Sequence, residues 1–316
     1  MKQLYILIFL FLPSILLSSG EDGFIKLMAT KYQFDSRYIQ DILSKATFKP
    51  KTLKIYNTPF KSYKNDASWT TYETKIITDK KIKSAKKFIK KYENYLQKAQ
   101  DLYLVPKEYI AAFIGVESNF GSITGRDNIF DSLTTLSFYP NRKKEFFKNE
   151  LVNFLIMCRS KAIDPLKQKG SFAGAMGCVQ QLPSVHLKYG VDLNGDGDKN
   201  LYDMVDCIGT IANFMHQNGW QNGKVVTVKA VDKGSRYSGL RTGYNKLYSL
   251  NDLAKYGITP KKKFDEEIAS LLQLRGKNRD ELWLGAKNFR VLTNYNNSTN
   301  YGMAIHNIAQ MIKKSY

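Results

Sequence analysis

One stretch of the chain places a carboxylate where its proton would be hard to lose. In Pro106-Lys-Glu-Tyr-Ile-Ala-Ala-Phe-Ile-Gly-Val-Glu-Ser118, residues Ile110, Phe113, Ile114 and Glu117 recur at i, i+3, i+4 and i+7. That spacing puts all four on one face of a helix, and an apolar face turns toward a core. Glu117 is therefore aimed into apolar surroundings near the helix C-terminus. Desolvation and the negative end of the helix dipole both disfavour the charged form, so its pKa should rise. A carboxyl group still protonated near neutral pH is suited to donating a proton to a leaving glycosidic oxygen. Glu108, in the first turn, sits where a carboxylate is favoured and solvated. A glutamate that only bonds a buried arginine or backbone amide would show the same spacing, so the neighbourhood has to decide.

Two other stretches could do chemistry. Gly170-Ser-Phe-Ala-Gly-Ala-Met-Gly177 followed by Cys-Val-Gln-Gln-Leu-Pro-Ser184 lets backbone come close to another helix or to a ligand, with Ser171 and Gln180 as polar brackets. Asp192-Leu-Asn-Gly-Asp-Gly-Asp198 fits an EF-hand loop: Asp192, Asn194 and Asp196 at the first, third and fifth positions and Gly197 at the sixth. The seventh ligand would be the Asp198 carbonyl, and the twelfth position holds Asp203, where a glutamate is usual. Calcium is the ion this pattern suits. Its place before a helix and far from Glu117 in sequence points to a structural role.

The elements that must position these groups are mostly helical. Apolar residues at Ile82, Ala85, Ile89, Tyr92 and Leu96 predict one helix from Asp79 to Leu102, with Asp79 as N-cap. Others are predicted from Pro106 to about Gly121, Lys144 to Arg159, Asp206 to Asn218 and Tyr301 to Lys314. Between Trp220 and Asn294 the pattern changes. Val225, Val226, Val228 and Val231 suggest a strand, five glycines suggest turns, and Phe289-Arg-Val-Leu-Thr293 suggests a second strand. The fold class expected is mainly α (α+β).

Composition narrows the function classes. The 316 residues carry 48 Lys and Arg against 28 Asp and Glu, a formal charge of +20. The lysines are scattered over helix faces rather than gathered in a stripe, which disfavours nucleic acid as the partner. His186, His216 and His306 are too far apart for a compact zinc motif. Neither a Gly-x-Ser-x-Gly elbow nor a phosphate-binding glycine loop is present. Lys2, an apolar run from Leu4 to Leu17 and the small residues Ser18-Ser19-Gly20 describe an export signal over residues 1–20. The expected location is exported and periplasmic, tethered to the membrane if the signal is not cleaved. No cysteine near its end could carry a lipid. Cys158, Cys178 and Cys207 lie in apolar stretches and are expected as buried thiols.

At this point a resemblance emerges. Gly115-Val-Glu-Ser118 with Phe120-Gly121, the run from Gly170 to Gly177, and Asn294-Tyr-Asn-Asn-Ser-Thr-Asn-Tyr301 resemble the B-type lytic murein transglycosylases. Phe24-Ile25 with Met28, Trp69 with Tyr72, Ile76-Ile77-Thr78, Leu133 to Phe138, and Asn213 with Gly219-Trp220 match the same pattern in order. The resemblance spans nearly the whole chain. It departs from the pattern at Cys178-Val179-Gln180-Gln181-Leu182-Pro183, where aromatic-Gly-Gln-Phe-Met-Pro is usual, and at Phe214, where a tyrosine is common.

The resemblance implies a lysozyme-like helical core over 106–223, holding the metal loop within 192–206. An N-terminal helical region (21–105), a small β-containing insertion (224–293) and a C-terminal strand end and helix returning to the core (294–316) would complete the chain. It implies one catalytic glutamate, Glu117, and glycan contacts from Tyr72, Ser171, Gln180, Asn296 and Tyr301. It also implies a longer metal loop whose last ligand is Asp206, so that Asp203 and Asp206 compete to close it. The activity implied is cleavage of the bond between N-acetylmuramic acid and N-acetylglucosamine with 1,6-anhydro ends. A hydrolytic muramidase and an inactive murein-binding protein are the alternatives. No cofactor is needed for catalysis. Peptidoglycan glycan strands are the expected partner of a monomer, with peripheral wall or membrane association admitted.

Overall fold

The computed structural model describes residues 19–57, 68–277 and 279–314. The expected signal lies outside them except for Ser19 and Gly20, which begin α1 (Ser19–Tyr32). α2 (Ser36–Ser44) is started by the Asp35 carboxylate, which accepts the Arg37 and Tyr38 amides. α3 (Pro50–Asn57) and α4 (Trp69–Ile76) follow. The single helix expected from Asp79 to Leu102 is two, α5 (Asp79–Lys91) and α6 (Glu93–Tyr103), broken at Tyr92 by non-helical dihedrals of −112° and 23°. The cap of α5 is Thr78, not Asp79: its hydroxyl accepts the Lys81 amide. Periodicity could not see this break, because the apolar stripe continues across it.

α7 (Lys107–Ser118) is the central helix. The face predicted from Ile110, Phe113 and Ile114 is only part of its burial, since Tyr109, Ala111, Ala112 and Gly115 are buried too. A helix apolar nearly all round has core on every side. After it come the short strand β1 (Asp127–Asn128), α8 (Ile129–Phe138) and α9 (Lys144–Ser160). α8 is buried from Ile129 to Ser137, and its serines and threonines hide that from a hydropathy reading. It fastens the opening helices: the Asp131 carboxylate accepts the Thr47 amide at 2.9 Å and pairs with Lys49 at 3.0 Å. Strand β2 (Lys169–Gly170) pairs antiparallel with β1, and α10 (Pro183–Tyr189) and α11 (Met204–Gln217) complete the helical core.

The next stretch builds a five-stranded antiparallel sheet. Its strands are β3 (Thr227–Asp232), β4 (Leu247–Ser249), β5 (Ile258–Pro260), β6 (Ile268–Leu274) and β7 (Glu281–Gly285), in spatial order β4-β6-β7-β3-β5. A short helix, α12 (Leu250–Lys255), lies between β4 and β5. Alternation along β6 divides its side chains between two cores: Leu272 and Leu274 join the main helical core, while Ala269 and Leu271 join a smaller cluster with Val228, Leu253, Ile258, Leu282 and Leu284. The sheet is thereby glued to the helices rather than hung from them.

The strand expected over Phe289–Thr293 is a helix, α13 (Lys287–Thr293), with Phe289, Val291 and Leu292 buried. A short apolar run looks the same in a buried strand and a buried helix turn, so sequence alone could not separate them. α14 (Thr299–Lys313) closes the chain against α7, capped by the Ser298 hydroxyl. The cysteine expectation also needs correcting. Cys178 and Cys207 form a disulfide, with Cα atoms 6.3 Å apart, and Cys158 is the buried free thiol. The two partners are 29 residues apart in sequence, and only the fold brings them together.

Candidate active site

Glu117 stands in the last turn of α7, and three separate segments are brought to it. The Tyr301 hydroxyl, from the first turn of α14, donates a hydrogen bond to the Glu117 carboxylate. Tyr301 is itself buried, 3% exposed, with its ring edge-on to Phe113 one turn back along α7. Tyr295 packs edge-on to Phe113 from the other side at 4.8 Å and donates its hydroxyl proton to the Val179 carbonyl. Tyr72, on α4, is half-buried and lies near enough for the Glu117 charge to raise its pKa, second to its own desolvation. The start of α4 is held by Trp69 N–H to the Arg275 carbonyl at 2.7 Å, so the end of β6 fixes where Tyr72 stands.

Ser118 joins Glu117 to the glycine-rich run. Its hydroxyl donates to the Cys178 carbonyl at 2.5 Å and accepts the Gly121 amide at 2.8 Å. The loop from Gly170 to Leu182 then closes on itself through a Met176–Gln181 bridge with amide–carbonyl distances of 2.9 and 3.1 Å. The glycines serve packing here. A Cβ on Gly177, at φ +68°, would lie 2.0 Å from the Leu201 carbonyl oxygen, and one on Gly170 would lie 2.2 Å from that of Ala175. Ser171 Oγ accepts the Ala175 amide at 3.0 Å and so holds the turn. Gln180, itself at φ +50°, donates its amide to the Thr124 and Gly177 carbonyls at 3.0 and 2.9 Å. Asn296 is exposed in the loop between α13 and α14, next in sequence to Tyr295.

The electrostatics follow from this packing. Burial pushes the Glu117 pKa up from 4.5 to about 7, and the Tyr301 hydrogen bond, which favours the carboxylate, restrains the rise. No second carboxylate figures among the groups that set it. Glu150, on α9, is 3% exposed, and its carboxylate accepts the Ser184 amide at 3.0 Å and hydroxyl at 2.5 Å. It joins α9 to α10 and is committed to that task.

The family model for the transglycosylase SLT domain matches residues 19–310. The chain belongs to this family. The membrane-bound lytic murein transglycosylase B of Escherichia coli (strain K12) is 39% identical over 296 residues, covering 92% of this chain and 81% of that protein. Two solved structures are similar along nearly their whole length. The Escherichia coli lytic transglycosylase Slt35 in complex with calcium superposes with a TM-score of 0.86 at 38% identity, covering 94% of this chain and 93% of that one. The soluble lytic transglycosylase SltB1 of Pseudomonas aeruginosa gives 0.87 at 33% identity, covering 93% and 98%. The lysozyme-like helical fold with small sheets is shared with these members of the transglycosylase SLT domain family.

Two features read from sequence gain their surroundings here. Phe214, where the family often has tyrosine, is buried edge-on to Tyr295, Tyr189 and Phe113, so its ring supports the aromatic wall behind Glu117. In the acidic loop, Asp192, Asp196 and Asp206 bring carboxylate oxygens within 4.8 Å of one another, a set of hard donors that suits calcium. Asn194 Nδ2 donates to Asp196 at 2.9 Å. Asp203 is committed elsewhere, as the N-cap of α11, which leaves Asp206 as the carboxylate that completes the cluster. The Asp198 side chain turns away to pair with Lys161, which leaves its carbonyl for the role expected of it.

Sequence reasoning passed over three groups that matter to the site. Tyr295 and Ser118 carry no spacing signal of their own, each lying beside a residue of clearer chemistry, Asn296 and Glu117. Lys81 is one of the lysines scattered over helix faces, yet its ammonium donates to the Gly115 carbonyl at 2.8 Å and burial lowers its pKa. It falls directly before the stripe residue Ile82, and that flanking position was the available signal.

Proposed function

We propose that the chain is a lytic murein transglycosylase in which Glu117 acts first as acid and then as base. The protonated carboxyl gives its proton to the oxygen linking N-acetylmuramic acid to N-acetylglucosamine, and the bond from that oxygen to the muramyl C1 breaks. The resulting carboxylate takes the proton of the muramyl C6 hydroxyl as the C6 oxygen bonds to C1. A 1,6-anhydro ring forms, Glu117 ends protonated as it began, and water is not consumed. A group with a pKa near 7 can do both jobs at neutral pH. Most glycosidases need a second carboxylate as nucleophile or base. The observation that carries this reading is Glu117, half-buried beside aromatic rings with Tyr301 as its hydrogen-bond partner and with no second carboxylate among the described groups that shift its pKa.

Tyr72, Ser171, Gln180, Asn296 and Tyr301 are assigned to the glycan cleft: Tyr72 would offer a ring face to a sugar, Asn296 and the Gln180 side-chain carbonyl oxygen would offer hydrogen bonds, and buried Tyr301 would act through its hydroxyl on Glu117. Asp192, Asn194, Asp196 and Asp206, with the Asp198 carbonyl, are assigned to a calcium ion of structural role. The protein is placed in the periplasm as an exported monomer. Mass spectrometry of murein digested by the full chain tests the reaction. Anhydro-muramic ends are expected; reducing ends, each one water heavier, would make the enzyme a hydrolase.

A further inference from the structure

At the end of α7 opposite Glu117, a cavity of about 740 Å³ opens between the sheet and the C-terminal end of α14. Tyr109 lines it, eight residues before Glu117 on α7, which places it about 12 Å away along the helix. Seven lysines line the cavity, from three segments: Lys224 and Lys229, the run 261–263, and Lys313 with Lys314. No carboxylate is among the lining residues. Lys229 pairs with Glu281 and Lys263 with Asp265, both outside the lining, while the other five have no ion-pair partner among the described residues. So many like charges around one hollow repel one another unless an anion lies between them.

The lining chemistry is more specific than charge. Trp220 and Trp283 contribute ring surface, and Trp220, 8% exposed, has an indole N–H that finds no acceptor among the described residues. An orphaned buried donor is costly, and an oxygen from a bound molecule would satisfy it. The Tyr109 hydroxyl accepts from Gln310 at 3.2 Å and lies 2.8 Å from His306 Nδ1. Burial lowers the His306 pKa to about 4, so the imidazole is neutral, and the direction of its hydrogen bond with the Tyr109 hydroxyl is set by its tautomer.

We infer that this cavity is a second wall-binding site that takes the carboxylate-bearing peptide stem of peptidoglycan, apart from the glycan cleft. The inference rests on the murein reading of the previous subsection. A membrane would be met by protruding aromatics on a convex face, whereas these aromatics are sunk in a concave one. Short peptides with free carboxylates fit a half-open hollow that supplies cations at its rim and donors at its floor. Helices α7 and α14 both run from Glu117 to this cavity, so one strand could be held at its sugar backbone by the cleft and at a neighbouring stem by the lysines.

The test uses the full chain carrying Glu117→Gln, so that binding is read without turnover. Co-sedimentation is measured with intact murein, with murein glycan stripped of its peptides by an amidase, and with vesicles of anionic phospholipid. The triple variant Lys224→Glu, Lys262→Glu, Lys313→Glu is expected to bind intact murein at least tenfold more weakly, with binding to stripped glycan unchanged. The difference between the two substrates should shrink as salt rises. Trp220→Phe, which keeps a ring and removes the orphan donor, should weaken murein binding a few fold. Equal loss on stripped glycan, no loss on intact murein, or stronger lysine-dependent binding to vesicles than to murein would each overturn the assignment. A failed product analysis would leave this binding result intact, so the two readings can fail separately.

Discussion

Glu117 and the loop from Asp192 to Asp206 handle the same functional group in opposite ways. At Glu117 a single carboxyl, partly exposed at the edge of aromatic packing, is offered one hydroxyl and left with a pKa of about 7. In the loop several carboxylates are crowded together at the surface and offered backbone amides. Asp192 alone accepts the Gly195, Asp196 and Gly197 N–H groups, at 2.6, 3.2 and 2.8 Å, and its pKa is lowered, the Gly197 amide contributing most. Asp206 is intermediate: burial raises its pKa although the Leu193 and Asn200 amides oppose the shift. Environment decides whether a carboxyl holds a proton or waits for a cation.

The largest effect that could break this contrast is expected at Glu117. Glu117→Gln should lower murein cleavage by a factor of a thousand or more. The same change should stabilise the fold at alkaline pH. The native carboxyl holds its proton more tightly than the unfolded one, so its penalty is absent below about pH 4.5, grows between 4.5 and 7, and is complete above 7. The full difference is up to about 3 kcal/mol. Thermal melts of both forms at pH 4 and pH 8 check this: a gain in Tm confined to pH 8 is expected, and equal Tm at both would mean the carboxyl is not desolvated.

The acidic loop is coupled to the site by the Cys178–Cys207 disulfide, since Cys207 follows Asp206 in sequence and Cys178 lies two residues before Gln180. Cys207→Ala should cost about 2–4 kcal/mol, the usual worth of a crosslink closing a loop of this length. Denaturant unfolding of oxidised and variant protein measures it. Calcium should then add stability from the other side of the same unit, about 2.7 kcal/mol at a hundredfold excess over its Kd. Asp196→Ala should abolish that gain while changing stability little in chelator; a calcium shift that survives the substitution would move the ion elsewhere.

How much of this was legible in sequence depends on what kind of relation each feature is. The helix bearing Glu117 and the acidic loop were readable because their information is local, a spacing of three and four or an alternation of Asp, Asn and Gly. The disulfide, the Glu150–Ser184 contact and the ammonium of Lys81 on the Gly115 carbonyl are relations between distant segments, and no window of sequence contains both partners. α13 escaped for a different reason: five apolar and polar residues in a row satisfy two secondary structures equally. Gln181, where the family has phenylalanine, is buried with its side-chain amide close enough to the Tyr295 hydroxyl to favour the phenolate, against the desolvation that raises that group's pKa.

The finest test of the contrast concerns Tyr301, whose hydroxyl behaves toward Glu117 as the amides behave toward the loop carboxylates. It donates to the carboxylate and so favours the charged form, against the desolvation that dominates. Tyr301→Phe keeps the ring edge-on to Phe113 and removes only that donor. The Glu117 pKa should then climb above 7, and the alkaline limb of kcat/KM should move up with it by about one unit, the worth of a hydrogen bond to a charged group. Because the conjugate base is also disfavoured, the second proton transfer gains driving force while the first loses it. At neutral pH the net change is therefore modest, about a tenfold fall in kcat. A limb that stays in place would mean the tyrosine only packs, and that burial alone sets the proton affinity of Glu117.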